Sequence, residues 1–322
     1  MTDAGEWERV SVMADLTTKH AITFHADRVT KRFSSWDRGE HEREWRGLTL
    51  LAEHAPGLAP RPLTCALTAE PPSITMTRLP GTPLRGTHLD ATQTAAVAAA
   101  VTRLHEAVPR QVLTAVPPRP WYAGEAAATL RTWYDARPGP HPDPLVERAF
   151  GEGARWLAGP DPHRLAAAEP PPVLGFADGN LANYLWDGEG SGGGGAEGDG
   201  EASAEGSGGG SGGGVGEGSG GGAARVRLVD FEDSGRSDRA FELAEITEHV
   251  SAWSDSHLPA EALLAHFDLT RSETARLRDA RRLCTVVWLF LLWSDARAAR
   301  PRNPPDTLPG QAVRVLERLG CH

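Results

Sequence analysis

Asp178 and Asn183 lie five residues apart in the segment Phe176-Ala177-Asp178-Gly179-Asn180-Leu181-Ala182-Asn183. Farther on, Asp230 follows the β-like run from Val226 to Val229 in Leu228-Val229-Asp230-Phe231-Glu232. Two carboxylates and one amide in this order suit phosphoryl transfer from ATP. One carboxylate orients an attacking hydroxyl and accepts its proton, while the amide and the second carboxylate hold Mg²⁺ on the ATP phosphates. Magnesium prefers hard oxygen ligands and keeps several waters, so two protein ligands are enough. Either segment alone also fits ordinary turn chemistry, because Asp and Asn favour turns and Asp178-Gly179 would suit a hairpin. The chemical reading comes from the two together, in this order.

These segments resemble the aminoglycoside phosphotransferase/choline kinase family, whose fold is protein-kinase-like. Its catalytic loop reads His-Gly-Asp, four variable residues, then Asn. Its metal motif reads Asp, an aromatic or apolar residue, then often Glu, as in Asp230-Phe231-Glu232. The resemblance implies that Asp178 is the catalytic base and that Asn183 and Asp230 bind Mg²⁺. It continues through Ser234 to Ala244, which is similar to the family's Gly-Asp-Pro-Ala-Phe-Asp-Leu-Ala stretch, with Asp238 as the expected N-cap of a helix. The departure is Phe176 in place of His and Ala177 in place of Gly. Phe keeps the packing of that His and loses its hydrogen bond. The reading is an active site with altered support; the alternative is a catalytically degenerate, nucleotide-binding regulatory protein.

The residues of the site need elements to hold them. Arg28 to Phe33 reads as a strand, and Glu42 to Leu51 as a helix with Leu48 and Leu51 on its apolar face. The kinase architecture sets a strand Lys on the α- and β-phosphates, held by a helix Glu. By resemblance these are Lys31 and Glu44. Arg32 competes with Lys31, since one register step moves the side chain to the other face. Lys31 shares a face with Val29 and Phe33. Read alone, Glu44 is one charge on a solvated helix face. Ser73 to Leu79 reads as a strand running into the Pro80-Gly81 break. It resembles the passage between two lobes, where Met76 would back the adenine and Thr77 C=O and Leu79 N–H would meet its edge. No Gly-rich phosphate loop is evident; the segment from Ala14 to Lys19 could cover phosphates only with the backbone amides of Thr17 and Thr18.

The expected fold is α+β and two-lobed: a small, mainly antiparallel β lobe over residues 1–79 and a larger helical lobe over 80–322. Ala91 to Ala107, Asp143 to Ala158, Arg239 to Ser251, Arg271 to Arg300 (one helix or two) and Pro309 to Leu319 have helical spacing. His105 reads as a packed structural residue, and Trp253, Trp288 and Trp293 as core.

Composition bounds the rest. The chain has 322 residues, 40% hydrophobic and 24% charged, which are ordinary globular values. Its three cysteines, Cys65, Cys284 and Cys321, have no metal spacing and suit a reducing compartment. The polar start is no signal peptide, and the apolar stretch from Leu283 to Trp293 is well short of the roughly 20 residues that span a bilayer. A cytoplasmic protein is expected, with no membrane and no nucleic-acid partner, since no basic stripe or zinc-finger spacing is present. Gly188 to Gly222 is almost entirely Gly, Ser, Glu and Ala and is expected to be disordered. By the resemblance it falls where the family has a short β-hairpin turn, with Tyr184-Leu185-Trp186 and Val226 to Val229 as the two expected strands. Its six acids account for much of the net charge of −10, and the remainder carries only about −4. The expected partner is a small-molecule hydroxyl acceptor: an aminoglycoside-like antibiotic, an amino alcohol or a sugar. A cationic acceptor would need carboxylates or an aromatic cage, with Glu232, Asp233, Glu248, Asp255, Asp295 and Trp253 as candidates.

Overall fold

The computed structural model describes residues 20–188 and 225–321. The Ala14 to Lys19 loop and all of the glycine-rich insertion except Gly188 lie outside the described residues. Strands β1 (His20–Phe24), β2 (Arg28–Phe33), β3 (Pro62–Ala66) and β4 (Ser73–Thr77) form an antiparallel sheet in the order β1-β2-β4-β3. Alternation in β2 turns Lys31 and Phe33 inward and leaves Arg32 exposed. Phe33 belongs to the same buried cluster as Ile74 and Met76 of β4 and Leu48 and Leu51 of helix α1 (Glu40–His54). Helix α1 starts at Gly39, whose φ of 74° suits glycine, and carries Glu40 and Glu42 in its first turn, where the helix dipole favours acids.

The larger lobe is helical. Its main helices are α2 (Ala91–Ala107), α3 (Ala123–Asp135), α4 (Pro144–Ala158), α5 (Pro160–Ala167), α6 (Arg239–Glu248), α7 (Arg271–Ala296) and α8 (Thr307–Leu319). Capping boxes start α2 at Asp90 with Gln93 and α7 at Thr270 with Glu273. Asp238 caps α6 by accepting from Phe241 N at 3.0 Å, as its sequence position implied. The segment after residue 271 is one 26-residue helix. Two findings differ from the sequence reading. Helix α6 stops at Glu248 instead of reaching Ser251, because His249 leaves the helical region at ψ 140° and a 3₁₀ turn follows. Helices α3 and α5 are additional to those the sequence reading names; α5 spans only eight residues, too few for a helical period to stand out.

Two small sheets carry the site. Strand β7 (Tyr184–Asp187) pairs antiparallel with β8 (Arg225–Leu228), in register from Tyr184↔Leu228 to Asp187↔Arg225, so the strands on either side of the insertion are neighbours. A short strand, β5 (Thr82–Pro83), pairs with β7. Strand β6 (Pro172–Gly175) pairs with β9 (Gly235–Asp238). β6 leads into the Asp178 loop and β9 leads into α6, so one ladder fixes both. The molecule is a two-lobed, protein-kinase-like α+β fold.

Candidate active site

Asp178 lies in the loop that follows β6. Its Oδ1 accepts Asn180 N at 2.8 Å and its Oδ2 accepts Asn183 Nδ2 at 2.6 Å. The loop is pinned from below: Leu181 N donates to Ser251 Oγ at 3.0 Å, and Gly179 packs so tightly on α6 that a Cβ there would come within 2.5 Å of Glu245 O. Asn183 leads directly into β7, and its carbonyl accepts Val229 N at 3.1 Å. The β7–β8 hairpin thereby holds Asn183 beside the strand end that carries Asp230. Asp230 has φ 72°, a left-handed conformation that Asp tolerates better than most residues.

Lys31 joins the lobes. Its Nζ donates to Glu44 Oε2 at 2.6 Å, Asp230 Oδ1 at 2.5 Å and Glu232 Oε2 at 2.8 Å. Lys31 thus faces these carboxylates, while its neighbour Arg32 is exposed. From α1, Arg43 reaches the same segment, with Nε donating to Glu232 O at 2.7 Å. Burial alone would lower the Lys31 pKa, yet Glu44, Asp230 and Glu232 together raise it, so the ammonium stays charged. Burial pushes Glu44 up, against the opposing pull of Lys31. For Glu232 burial is outweighed by hydrogen bonds from His20 and Lys31, which hold it below the usual carboxylate range. Asp178 is pushed up to about 7, first by its desolvating surroundings and then by the Asp230 carboxylate. A carboxyl poised there can exchange a proton near neutrality.

Phe176 is buried and packs on Tyr184 at 5.6 Å and on Phe231 at 4.9 Å between ring centroids. The backbone amides of Phe176 and Ala177 both donate to Glu242 Oε2, at 2.9 and 3.0 Å. Buried Arg119 donates to Glu242 Oε1 at 3.1 Å and to Glu245 Oε2 at 3.3 Å. Burial would lower the Arg119 pKa, but the Glu245 and Glu242 carboxylates raise it, so the clamp is ionic. The resemblance placed Glu242 opposite an acidic family position, while its grip on the loop needs the β6–β9 ladder to be seen.

The family model of the phosphotransferase enzyme family matches residues 12–195, a span that includes Lys31, Glu44, Asp178 and Asn183 and ends before Asp230. The chain belongs to this phosphotransferase family. No curated protein matches it by sequence. Its fold is similar to that of a choline/ethanolamine kinase family protein from Mesorhizobium loti, at 14% identity and TM-score 0.60 over 97% of this chain and 94% of that one. It is also similar to aminoglycoside 2′-phosphotransferase-IIIa, solved with GDP, at 12% identity and TM-score 0.58 over 99% of both chains. A third similar structure is choline kinase LicA from Streptococcus pneumoniae, at 13% identity and TM-score 0.57 over 95% of this chain and 91% of that one.

In this phosphotransferase-family chain, Lys31, Asp178, Asn183, Asp230 and Glu232 line one cleft of about 1120 Å³. Glu44 lies beneath it, bonded to Lys31. Met76, Thr77 and Leu79 are not among the described residues that line this cleft. Met76 is buried in β4, Thr77 exchanges hydrogen bonds with Arg61, and Leu79 is half-buried beyond the strand. Of the acids considered for a cationic acceptor, Glu232, Asp233 and Asp295 reach the cleft. Glu248 does not: it is fully buried and bound by Arg281, Arg314 and Arg318 at 2.6 to 2.8 Å. Asp255 is paired with Arg85 at 2.6 Å. Trp288, read from the sequence as core, is half-open and lines the cleft; helical period alone cannot tell a core face from a cleft wall.

Proposed function

We propose that the protein transfers the γ-phosphoryl group of ATP to a hydroxyl of a small molecule. The observation that carries this is the convergence of Asp178, hydrogen-bonded to Asn183, with Asp230 and the Lys31–Glu44 pair in one cleft. Asp178 would orient the acceptor hydroxyl and take its proton. Lys31, kept cationic and fixed by Glu44, would neutralise phosphate charge. We assign Met76, Thr77 and Leu79, at the end of β4 between the lobes, to the adenine. Asn183 and Asp230 offer only oxygen donors once Asn183 Nδ2 is committed to Asp178, and Asp230 keeps 38% of its side chain open. This donor set fits Mg²⁺, which when bound would offset charge on the phosphate oxygens.

A small acceptor is favoured because Asp230 runs into β9 and α6 within a few residues, leaving little chain for an activation segment. A degenerate regulatory protein is disfavoured by the Glu242 clamp, which fixes the loop where the family uses His. We place the reaction in the cytoplasm, in keeping with three free cysteines. Asp178→Asn should lower kcat by about 10² to 10⁴ while ATP binding persists; near-normal turnover would remove Asp178 from the mechanism. Asp230→Ala should weaken nucleotide binding more with Mg²⁺ than without it, and equal losses would make Asp230 structural.

A further inference from the structure

Helix α7 is buried along much of its length, yet Val287, Trp288 and Leu291 are left partly open where the cleft passes it. Their spacing puts them on one stripe. The stripe begins beside the base: the Trp288 ring meets His249 edge-on at 4.5 Å, and His249 Nε2 is 3.8 Å from Asp178 Oδ1. His249 accepts Ser251 N on Nδ1, and burial first and Arg85 second hold its pKa down to about 3, so it is a neutral ring. Trp121 adds a second indole to the same cleft. It is held at φ 60°, followed by Ala123 at φ 25°, conformations that cost a bulky or β-carbon-bearing residue on the order of 1–3 kcal/mol. Trp121 N donates to Glu125 Oε2 at 3.0 Å and the ring packs on Trp133 at 5.2 Å. Strain maintained at a cleft wall points to a ligand contact.

The carboxylates along this wall already have partners. Glu245 is taken by Arg119 at 3.3 Å. Asp295 accepts from the backbone amides of Arg302 and Asn303 and from both side chains, at 2.8 to 3.2 Å. Asp233 pairs with Arg43 at 3.3 Å. Glu42 and Glu125 are exposed at the mouth, where solvent screens them. An ammonium entering the cleft would have to displace internal arginines to find a counter-charge, whereas an apolar face would cover the open stripe directly.

We propose that the phosphate acceptor is an uncharged alcohol with a ring-sized apolar face, seated on Trp288, Val287, Leu291 and Trp121 with its hydroxyl at Asp178. This rests on the phosphotransfer reading above. The Asp178 carboxylate takes the hydroxyl proton, the acceptor oxygen bonds to the γ-phosphorus, and the bond to the β-phosphate oxygen breaks to release ADP.

The test uses the full chain with Mg·ATP and four probes: 2-naphthaleneethanol, estradiol, choline and kanamycin. ADP formation gives KM and kcat, and calorimetry without nucleotide gives binding. The uncharged alcohols should have a KM about tenfold or more below those of choline and kanamycin, and one insensitive to added salt. Trp288→Ala should raise their KM about tenfold with little change in kcat; a fall in kcat alone would mean that Trp288 merely supports His249 and the loop. If that variant does not fold, Trp288→Leu carries the same comparison. A lower KM for choline or kanamycin would overturn the acceptor class and leave the phosphotransfer reading standing. Binding of the uncharged alcohols with no phosphorylation of any probe would support the pocket and count against phosphotransfer. No binding of either uncharged alcohol overturns the proposal.

Discussion

Ala177 holds its backbone at φ 65°, in the left-handed region, one residue before Asp178. A β-carbon there costs roughly 1–2 kcal/mol, and the family places glycine at this position. The strain is borne because the Ala177 amide is held by Glu242 on one side and Asp178 is held by Asn180 and Asn183 on the other. Ala177→Gly should relieve the strain, partly offset by the greater freedom of glycine in the unfolded chain, for a net gain of about 0.5–1 kcal/mol in urea denaturation. A loss of stability would show that the loop is relaxed with alanine and that Phe176 and Ala177 are matched to one another.

At the scale of elements, the decisive joint is between α6 and the loop after β6. Glu242 projects from the first turn of α6 and accepts two successive loop amides while Arg119 balances its charge. Burial would raise Glu242, but Arg119 and the surrounding donors lower it, so it is an anion. Glu242→Gln keeps the shape, removes the charge opposite a buried guanidinium and turns an NH₂ toward donors. It should destabilise the fold by about 2 kcal/mol. It should also lower kcat more than it raises the KM for ATP, because Lys31 and Glu44 belong to the other lobe. An unchanged denaturation midpoint would show that Phe176 packing alone fixes the loop.

Two expectations belong to the whole molecule. Asp187 and Arg225 face each other at the end of β7–β8, with Asp187 bonded to both Arg225 and Arg227. A two-residue Asn-Gly turn can join strands in that register. Replacing residues 188–224 with Asn-Gly should preserve Mg·ATP binding and should not lower stability by more than about 1 kcal/mol, since shortening a loop reduces its closure cost. Loss of folding would mean that the insertion contributes more than a connection. The second expectation concerns acid. Buried His105 on α2 is held down to about 4 from 6.5, chiefly by desolvation. A histidine kept neutral in the fold takes up protons more readily when unfolded, so stability falls as pH drops from 6.5 towards 4. The loss reaches about 2 kcal/mol at pH 5, and His105→Gln should flatten that part of the profile in melts compared at pH 7 and pH 5.

What the sequence alone determined was local. Asp178 and Asn183 are legible as a pair because one loop carries both, and helix α2 is legible because its helical spacing lies within one segment. The strands flanking the insertion are legible through the family resemblance, which has a short hairpin at this place, and they pair in register from Tyr184 with Leu228 to Asp187 with Arg225. Alternation within β2 favours Lys31 over Arg32, since Lys31 shares a face with Val29 and Phe33; that three carboxylates, from Glu44, Asp230 and Glu232, meet its ammonium on that side is visible only in the tertiary structure. Trp288 sits on a helix whose apolar residues look alike in sequence, and the cleft beside it exists only once α7 meets the Asp178 loop and the Trp121 segment. Glu242 reaches its partners across more than sixty residues of chain. Such contacts depend on which strands pair and which helix lies behind them, and no short pattern records that, because burial and pairing are decided by the sum of distant contacts.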